Sequence, residues 1–135
     1  MTSVGAYMTR SPHTIGVEQS LAAARRLMSD NRIRHLPVLH GGALVGMLSN
    51  REIASFEVLP GSSRLTVEEA MVPDVYVTFD DAPLDLVAEE MARRHVGSAV
   101  VVAGKESTKV LGVFTVEDAL KALTDALRSS PATAA

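Results

Sequence analysis

The chain has 135 residues, 47% of them hydrophobic and 21% charged, with a formal net charge of −3 and no cysteine. That apolar content suffices for one compact unit, or two small ones sharing a core. The missing thiols exclude disulfides, zinc–thiolate sites and cysteine nucleophiles, and a net negative charge with 4% aromatic residues argues against a nucleic-acid surface.

In chain order, the start "MTSVGAYMTR" lacks a basic stretch followed by an apolar one, so no secretion signal is expected. No segment approaches the ~18 to 20 apolar residues of a membrane span, and the expectation is a soluble, cytoplasmic protein without a membrane partner. A short strand is predicted within "HTIGV". Leu21, Ala24, Leu27 and Met28 recur at helical spacing. Two strands follow, "HLPVL" and "ALVGML", and Gly41–Gly42 supplies the positive φ of a tight hairpin turn. A helix starts at Ser49, with Glu52 as the acid of its first turn. "LPGSSR" reads as a linker, and Thr66 with Glu69 caps a short helix. A strand in "VYVTF" comes next. Leu84, Val87, Ala88 and Met91 then mark a helix with Pro83 in its first turn and Asp80 or Asp81 as cap. "AVVVA" and "KVLGVFT" are strands, and the closing helix starts at Thr115.

The order β-α-β-β-α is thus given twice. Met8 aligns with Met71, Leu21 with Leu84, Met28 with Met91 and Ile33 with Val96 at an offset of 63. The offset grows to 66 after the hairpin loops, where Gly46 meets Gly112, Ser49 meets Thr115 and Glu52 meets Asp118. The expected division is repeat one over 4–58, a linker over 59–66, repeat two over 67–124 and a disordered tail over 125–135. Met28 and Met91 are core residues. Gly46 and Gly112 sit in strands, where close backbone approach explains a glycine. The fold class is α+β.

This pattern resembles the tandem CBS domain, or Bateman module. The residues that carry it are "RHLPVLHGGALVGMLSNREI" in repeat one and "SAVVVAGKESTKVLGVFTVEDAL" in repeat two. The resemblance implies two repeats packed about a pseudo-twofold axis, with clefts that bind adenosine-containing ligands: AMP, ADP, ATP, S-adenosylmethionine or relatives. It places ribose and phosphate at Thr115 and Asp118, and adenine against Thr14, Ile15, Ile33, His35 and Pro37. Arg34 and His35 would meet phosphate. The second cleft would use Ser49, Glu52, Val77, Thr78, Val96 and Ser98, and is expected to be weaker, since the family's ribose residue is normally Asp and this chain has Glu52.

Two readings of Thr115 and Asp118 stand side by side. A hydroxyl followed three residues later by an acid is a helix start. The same pair at a strand-to-helix junction offers a carboxylate to two ribose hydroxyls and a helix N-terminus to phosphate. With a hydroxyl cap in place, Asp118→Ala is expected to cost little stability.

No catalytic arrangement emerges. His13, His35, His40 and His95 show no metal-ligand spacing, and neither Ser49 nor Thr115 has a base held by a third group. The expectation is therefore a non-enzymatic sensor that requires no cofactor and takes an adenine nucleotide as regulatory ligand, relaying its level to an effector protein. The alternatives are a dimerisation module with empty clefts and an S-adenosylmethionine sensor. Residues 8–55 hold six arginines against three acids, and residues 71–120 hold four cations against nine acids. A homodimer, disc-like as the resemblance implies, would pair opposite charges in the antiparallel arrangement.

Overall fold

The computed structural model describes residues 2–107 and 109–129. The elements run β1 (Thr9–Arg10), β2 (Ile15–Gly16), α1 (Leu21–Asn31), β3 (His35–His40), β4 (Ala43–Ser49), α2 (Asn50–Glu57), α3 (Val67–Ala70), β5 (Val77–Phe79), α4 (Leu84–Arg94), β6 (Ser98–Val102), β7 (Val110–Thr115) and α5 (Val116–Ser129). The β-α-β-β-α order is present twice. The tail expected from residue 125 begins instead as helix, since α5 continues to Ser129. Residues 130–135 lie outside the described residues.

The contacts divide the chain into two compact units that are not the two sequence repeats. One holds residues 2–11, 76–107 and 111–129, and the other holds 12–75 with 109–110. The leading segment of each repeat therefore belongs to the unit built on the other repeat. Backbone hydrogen bonds show why. In the first unit, Val4 N–H donates to Ala82 O at 2.9 Å, and Leu84 N–H to Thr2 O at 3.0 Å. In the second, Val67 N–H donates to Gln19 O and Leu21 N–H to Leu65 O, both at 2.8 Å. Each pair follows the other at the offset of 63, and each satisfies a donor that a helix start leaves unpaired.

In the 12–75 unit, β2 pairs parallel with β3 (Ile15 opposite Val38) and β3 antiparallel with β4 (Val38 opposite Gly46). Gly41 (φ +58°) and Gly42 (φ +84°) make the turn between them, the paired positive φ of a two-residue hairpin loop. The core comprises Ile15, Leu21, Met28, Leu36, Val38, Leu48 and Ile53, closed by Val67 and Ala70 of α3. Ser20 caps α1 by accepting from Ala23 N–H at 3.1 Å.

In the other unit the sheet order is β1-β7-β6-β5. The two-residue β1 lies antiparallel to β7 and β5 lies parallel to β6. Val4, Met8, Val87, Met91, Ala99, Val101 and Phe114 form its core. The cap expected from Asp80 or Asp81 is not made. Pro83 itself occupies the cap position of α4 without a side-chain bond, so neither aspartate stands there, and the N–H of Leu84 goes to Thr2 O.

Gly46 and Gly112 are explained by the exchanged segments. A Cβ on Gly112 would lie 2.6 Å from Thr9 O and 2.8 Å from Met8 Sδ, and one on Gly46 would lie 2.5 Å from Met71 Sδ. The methionine that opens each repeat crosses the last strand of its unit at the one residue without a side chain.

Candidate functional site

The strand-to-helix junction at the end of β7 is built by Phe114, fully buried, which anchors the strand while Thr115 turns the chain into α5. Asp118 lies one turn into the helix and is only 6% exposed. Its Oδ2 accepts from Thr115 N–H at 2.9 Å and from Thr115 Oγ1–H at 3.2 Å. Val116 N–H donates to Gly97 O at 3.2 Å. The N–H groups of Glu117 and Asp118 have no intrahelical acceptor.

Both bonds to Asp118 fall on one oxygen. Oδ1 makes no hydrogen bond, and no buried side-chain polar atom among the described residues lacks a partner, so Oδ1 is open to solvent. One oxygen holds the junction and the other remains free to accept. The helix-start geometry is thus realised, and it leaves the carboxylate able to take a ligand donor as well. Thr115 Oγ1 donates to the carboxylate. Asp118 itself satisfies the Thr115 N–H.

The matching junction of the other unit is similar. Glu52 Oε1 accepts from Ser49 N–H at 2.8 Å and from Ser49 Oγ–H at 2.6 Å. Asn50 N–H donates to Arg34 O at 2.9 Å, as Val116 does to Gly97. The longer glutamate therefore reaches the same acceptor position as Asp118, and its extra methylene is taken up within the box.

The remaining predicted residues fall into two groups. Thr14, Ile15, Ile33, His35 and Pro37 all belong to the 12–75 unit: Ile15 lies in β2, His35 and Pro37 in the adjacent β3, Ile33 just before β3. His35 stands opposite Ser49 in the β3–β4 register, which brings it beside the Ser49/Glu52 junction. Pro37 is fully buried and Ile15 nearly so, so both act first as core. Val77, Thr78, Val96 and Ser98 share the other unit with Thr115 and Asp118. There Thr78 and Ser98 are buried while Val77 is exposed.

Arg34 lines a basic cavity with Arg25 and Arg32 of the same unit, two residues the sequence reading did not single out. A readable signal existed, because Arg25 and Ser29 stand at i and i+4 on one face of α1 and Arg32 follows its last residue.

The CBS domain family matches the chain over residues 4–58 and 67–125. The chain belongs to the CBS domain family. It is 31% identical over 118 residues to homoserine O-acetyltransferase of Methanococcoides burtonii, covering 87% of this chain and 23% of that one. CBS domain-containing protein YhcV of Bacillus subtilis is 26% identical, with 87% and 83% covered. Among solved structures, the CBS domain pair of protein MJ0100, in complex with 5′-methylthioadenosine and S-adenosyl-L-methionine, superposes with a TM-score of 0.85 at 27% identity, covering 93% of this chain and 98% of that one. The chain spans about a quarter or less of the first curated relatives it matches, which are enzymes. No helix among the described residues is long and apolar enough to cross a membrane.

Proposed function

We propose that this chain is a non-catalytic regulatory module that binds an adenosine-containing ligand, with an adenine nucleotide favoured. The observation that carries the reading is the Thr115/Asp118 junction. It holds a carboxylate with one oxygen committed to the chain and one open, beside unpaired N–H groups at a helix N-terminus. A ribose diol is two adjacent donors, which suits the open oxygen. A phosphate suits the N–H groups and the positive end of the helix. The CBS pair of MJ0100 supports the adenosyl class.

Among adenosyl ligands, the nucleotide is favoured by Arg34 of the 12–75 unit, which adjoins that unit's own Ser49/Glu52 junction through Asn50 N–H to Arg34 O and whose side chain has no acidic partner among the described residues. A guanidinium gains charge-assisted bonds from phosphate and repels a sulfonium. The second reading, an S-adenosylmethionine sensor, is favoured by the ligands of the MJ0100 pair. Calorimetry with AMP, ADP, ATP, adenosine and S-adenosylmethionine separates the two. The expected order places AMP or ADP tightest, and a ligand at 100 times its Kd raises the unfolding free energy by ~2.7 kcal/mol. S-adenosylmethionine binding more tightly than every nucleotide would favour the second reading. No binding by any of the five would leave a dimerisation module.

The module is further proposed to work as a homodimer that relays ligand occupancy to an effector protein. Exposed Val116, Leu120, Leu123 and Leu127 form one apolar stripe on α5, which supports an association surface.

A further inference from the structure

We propose that Met71 is an oxidation site, where a hydroperoxide converts the thioether to a sulfoxide and so frees the segment after α3 from β4. The chain has no cysteine and no tryptophan, so the methionine thioethers are the side chains that a mild peroxide attacks first. Met8, Met28, Met47 and Met91 are shielded, at 8%, 3%, 8% and 3% exposure. Among the described methionines Met71 alone is only partly buried, packed against the core of the 12–75 unit. Susceptibility to oxidation follows exposure, which singles it out.

The position of Met71 makes an added oxygen consequential. Its Sδ covers Gly46 of β4, so close that a Cβ on the glycine would lie 2.5 Å from it. Beside it, Val72 and Met47 exchange both backbone hydrogen bonds, each at 2.9 Å. Met47 stands two residues before Ser49, so this contact borders the Ser49/Glu52 junction. The thioether serves as an apolar cover over a buried glycine. A sulfoxide is polar and larger by one oxygen, and a polar group pressed on a strand without a donor is costly. The oxidised side chain therefore turns out to water. Gly46 loses its cover, and the Val72–Met47 bonds, already next to a 41% exposed Val72 side chain, open more readily.

The reaction needs only a peroxide. A lone pair of Sδ attacks one oxygen of hydrogen peroxide, the S–O bond forms and the O–O bond breaks. The sulfur gives up two electrons, and the departing hydroxide takes the proton left on the transferred oxygen and becomes water. A sulfoxide reductase with a dithiol reverses the step, releasing the oxygen as water while the dithiol becomes a disulfide.

The other unit holds the same arrangement in protected form. Met8 precedes Met71 by the offset of 63, and its Sδ would lie 2.8 Å from a Cβ on Gly112. Met8 is buried, and the chain after it pairs with β7 through two residues, Thr9 and Arg10. Met71 is followed by the isolated bridge of Val72 to Met47. One packing device thus has a shielded sulfur in one unit and a reachable one in the other.

The proposal does not rest on the adenosyl reading, and its test uses no ligand. The full chain is treated with dilute hydrogen peroxide, and sulfoxide formation is followed at each methionine by peptide mass spectrometry, each rate being divided by its value in urea. Met71 is expected to react at least about tenfold faster than Met8, Met28, Met47 and Met91. Amide exchange in the singly oxidised protein should quicken at least about fivefold at 71–73 and 46–49, and stay unchanged at 8–10 and 112–115. Sulfoxide reductase with dithiothreitol should restore the original exchange. Met71→Leu, which keeps an apolar cover and has no sulfur, should show no change with peroxide, and Met71→Gln should exchange like the oxidised protein without it. Equal normalised rates for Met71 and Met8 overturn the proposal. So does wild-type exchange at 71–73 in protein carrying the Met71 sulfoxide, or the same peroxide effect in Met71→Leu. Should Met71→Gln fail to fold, the oxidised wild type and its reversal decide.

Discussion

At the scale of the residue, the proposed site would give Asp118 two jobs that substitutions can separate. Its Oδ2 holds the Thr115 N–H and hydroxyl, and its Oδ1 is open. Asp118→Ala removes both and is expected to lower stability by about 1 kcal/mol, the usual loss for a broken helix start. In the proposed site it should also weaken nucleotide binding at least tenfold. Asp118→Asn keeps an acceptor oxygen for the Thr115 N–H and removes the charge. It should unfold within about 0.5 kcal/mol of wild type and still bind nucleotide at least tenfold more weakly, because a hydrogen bond to a charged group is worth about 1.5 to 3 kcal/mol. Denaturant unfolding and calorimetry on the two variants check this. Wild-type affinity in Asp118→Asn would assign the carboxylate to the fold alone.

At the scale of the element, the same scaffold positions carry different loads in the two units. Both α1 and α4 end on a residue with a Cβ in the left-handed region, Arg32 (φ +54°) and His95 (φ +58°). His95→Gly should therefore stabilise the protein, by about 0.5 to 1 kcal/mol after the greater entropy of an unfolded glycine is offset. A lower melting temperature would show that the imidazole makes a contact worth more than the strain. The two strand glycines predict an asymmetry. A Cβ at Gly112 meets the backbone oxygen of Thr9 at 2.6 Å, which is fixed in the β1–β7 ladder. At Gly46 the nearest atom is Met71 Sδ, the flexible part of an adaptable side chain, with Val72 O at 3.0 Å. Gly112→Ala should cost more than Gly46→Ala, with about 1 to 3 kcal/mol for the strained case. Equal midpoints and slopes in urea for the two variants would contradict this.

At the scale of the whole molecule, the apolar stripe of α5 and the uneven charge of the repeats bear on assembly. Val116, Leu120, Leu123 and Leu127 are each about half exposed and recur at spacings of four, three and four, the seam pattern of a helix that packs on another helix. If copies associate through it, Leu120→Glu with Leu127→Glu should convert the dimer to monomer in sedimentation velocity. The thermal stability of the monomer should change little, because neither side chain belongs to the core. An antiparallel dimer that opposes basic 8–55 to acidic 71–120 should in addition loosen with salt, since exposed charges are screened within ~10 Å at 0.1 M ionic strength. Unchanged association between low and high salt would remove the charge argument.

The doubled β-α-β-β-α order, the hairpin at Gly41–Gly42, the helix starts at Ser49, Thr66 and Thr115 and the family all follow from local signals: side-chain periodicity, turn chemistry and an internal repeat. These survive because each depends on residues within a few positions of one another. Tertiary structure alone decided the rest. The leading segments exchange units, because the unpaired N–H groups at the starts of α1 and α4 find their acceptors in chain more than forty residues away. The same exchange gives Leu84 its acceptor in Thr2, and Pro83 rather than Asp80 or Asp81 stands at the cap position of α4. It also explains Gly46 and Gly112, which the strand pattern marks as close approaches without saying to what. The spacing from Thr115 marks Asp118 as an acid at a helix start, but which of its oxygens is committed and which is open depends on the path of Thr115. Arg25, Arg32 and Arg34 share a cavity because α1, the start of β3 and the start of α2 converge. Spacing along a chain records neighbours on one element, and convergence of several elements is a property of the folded chain.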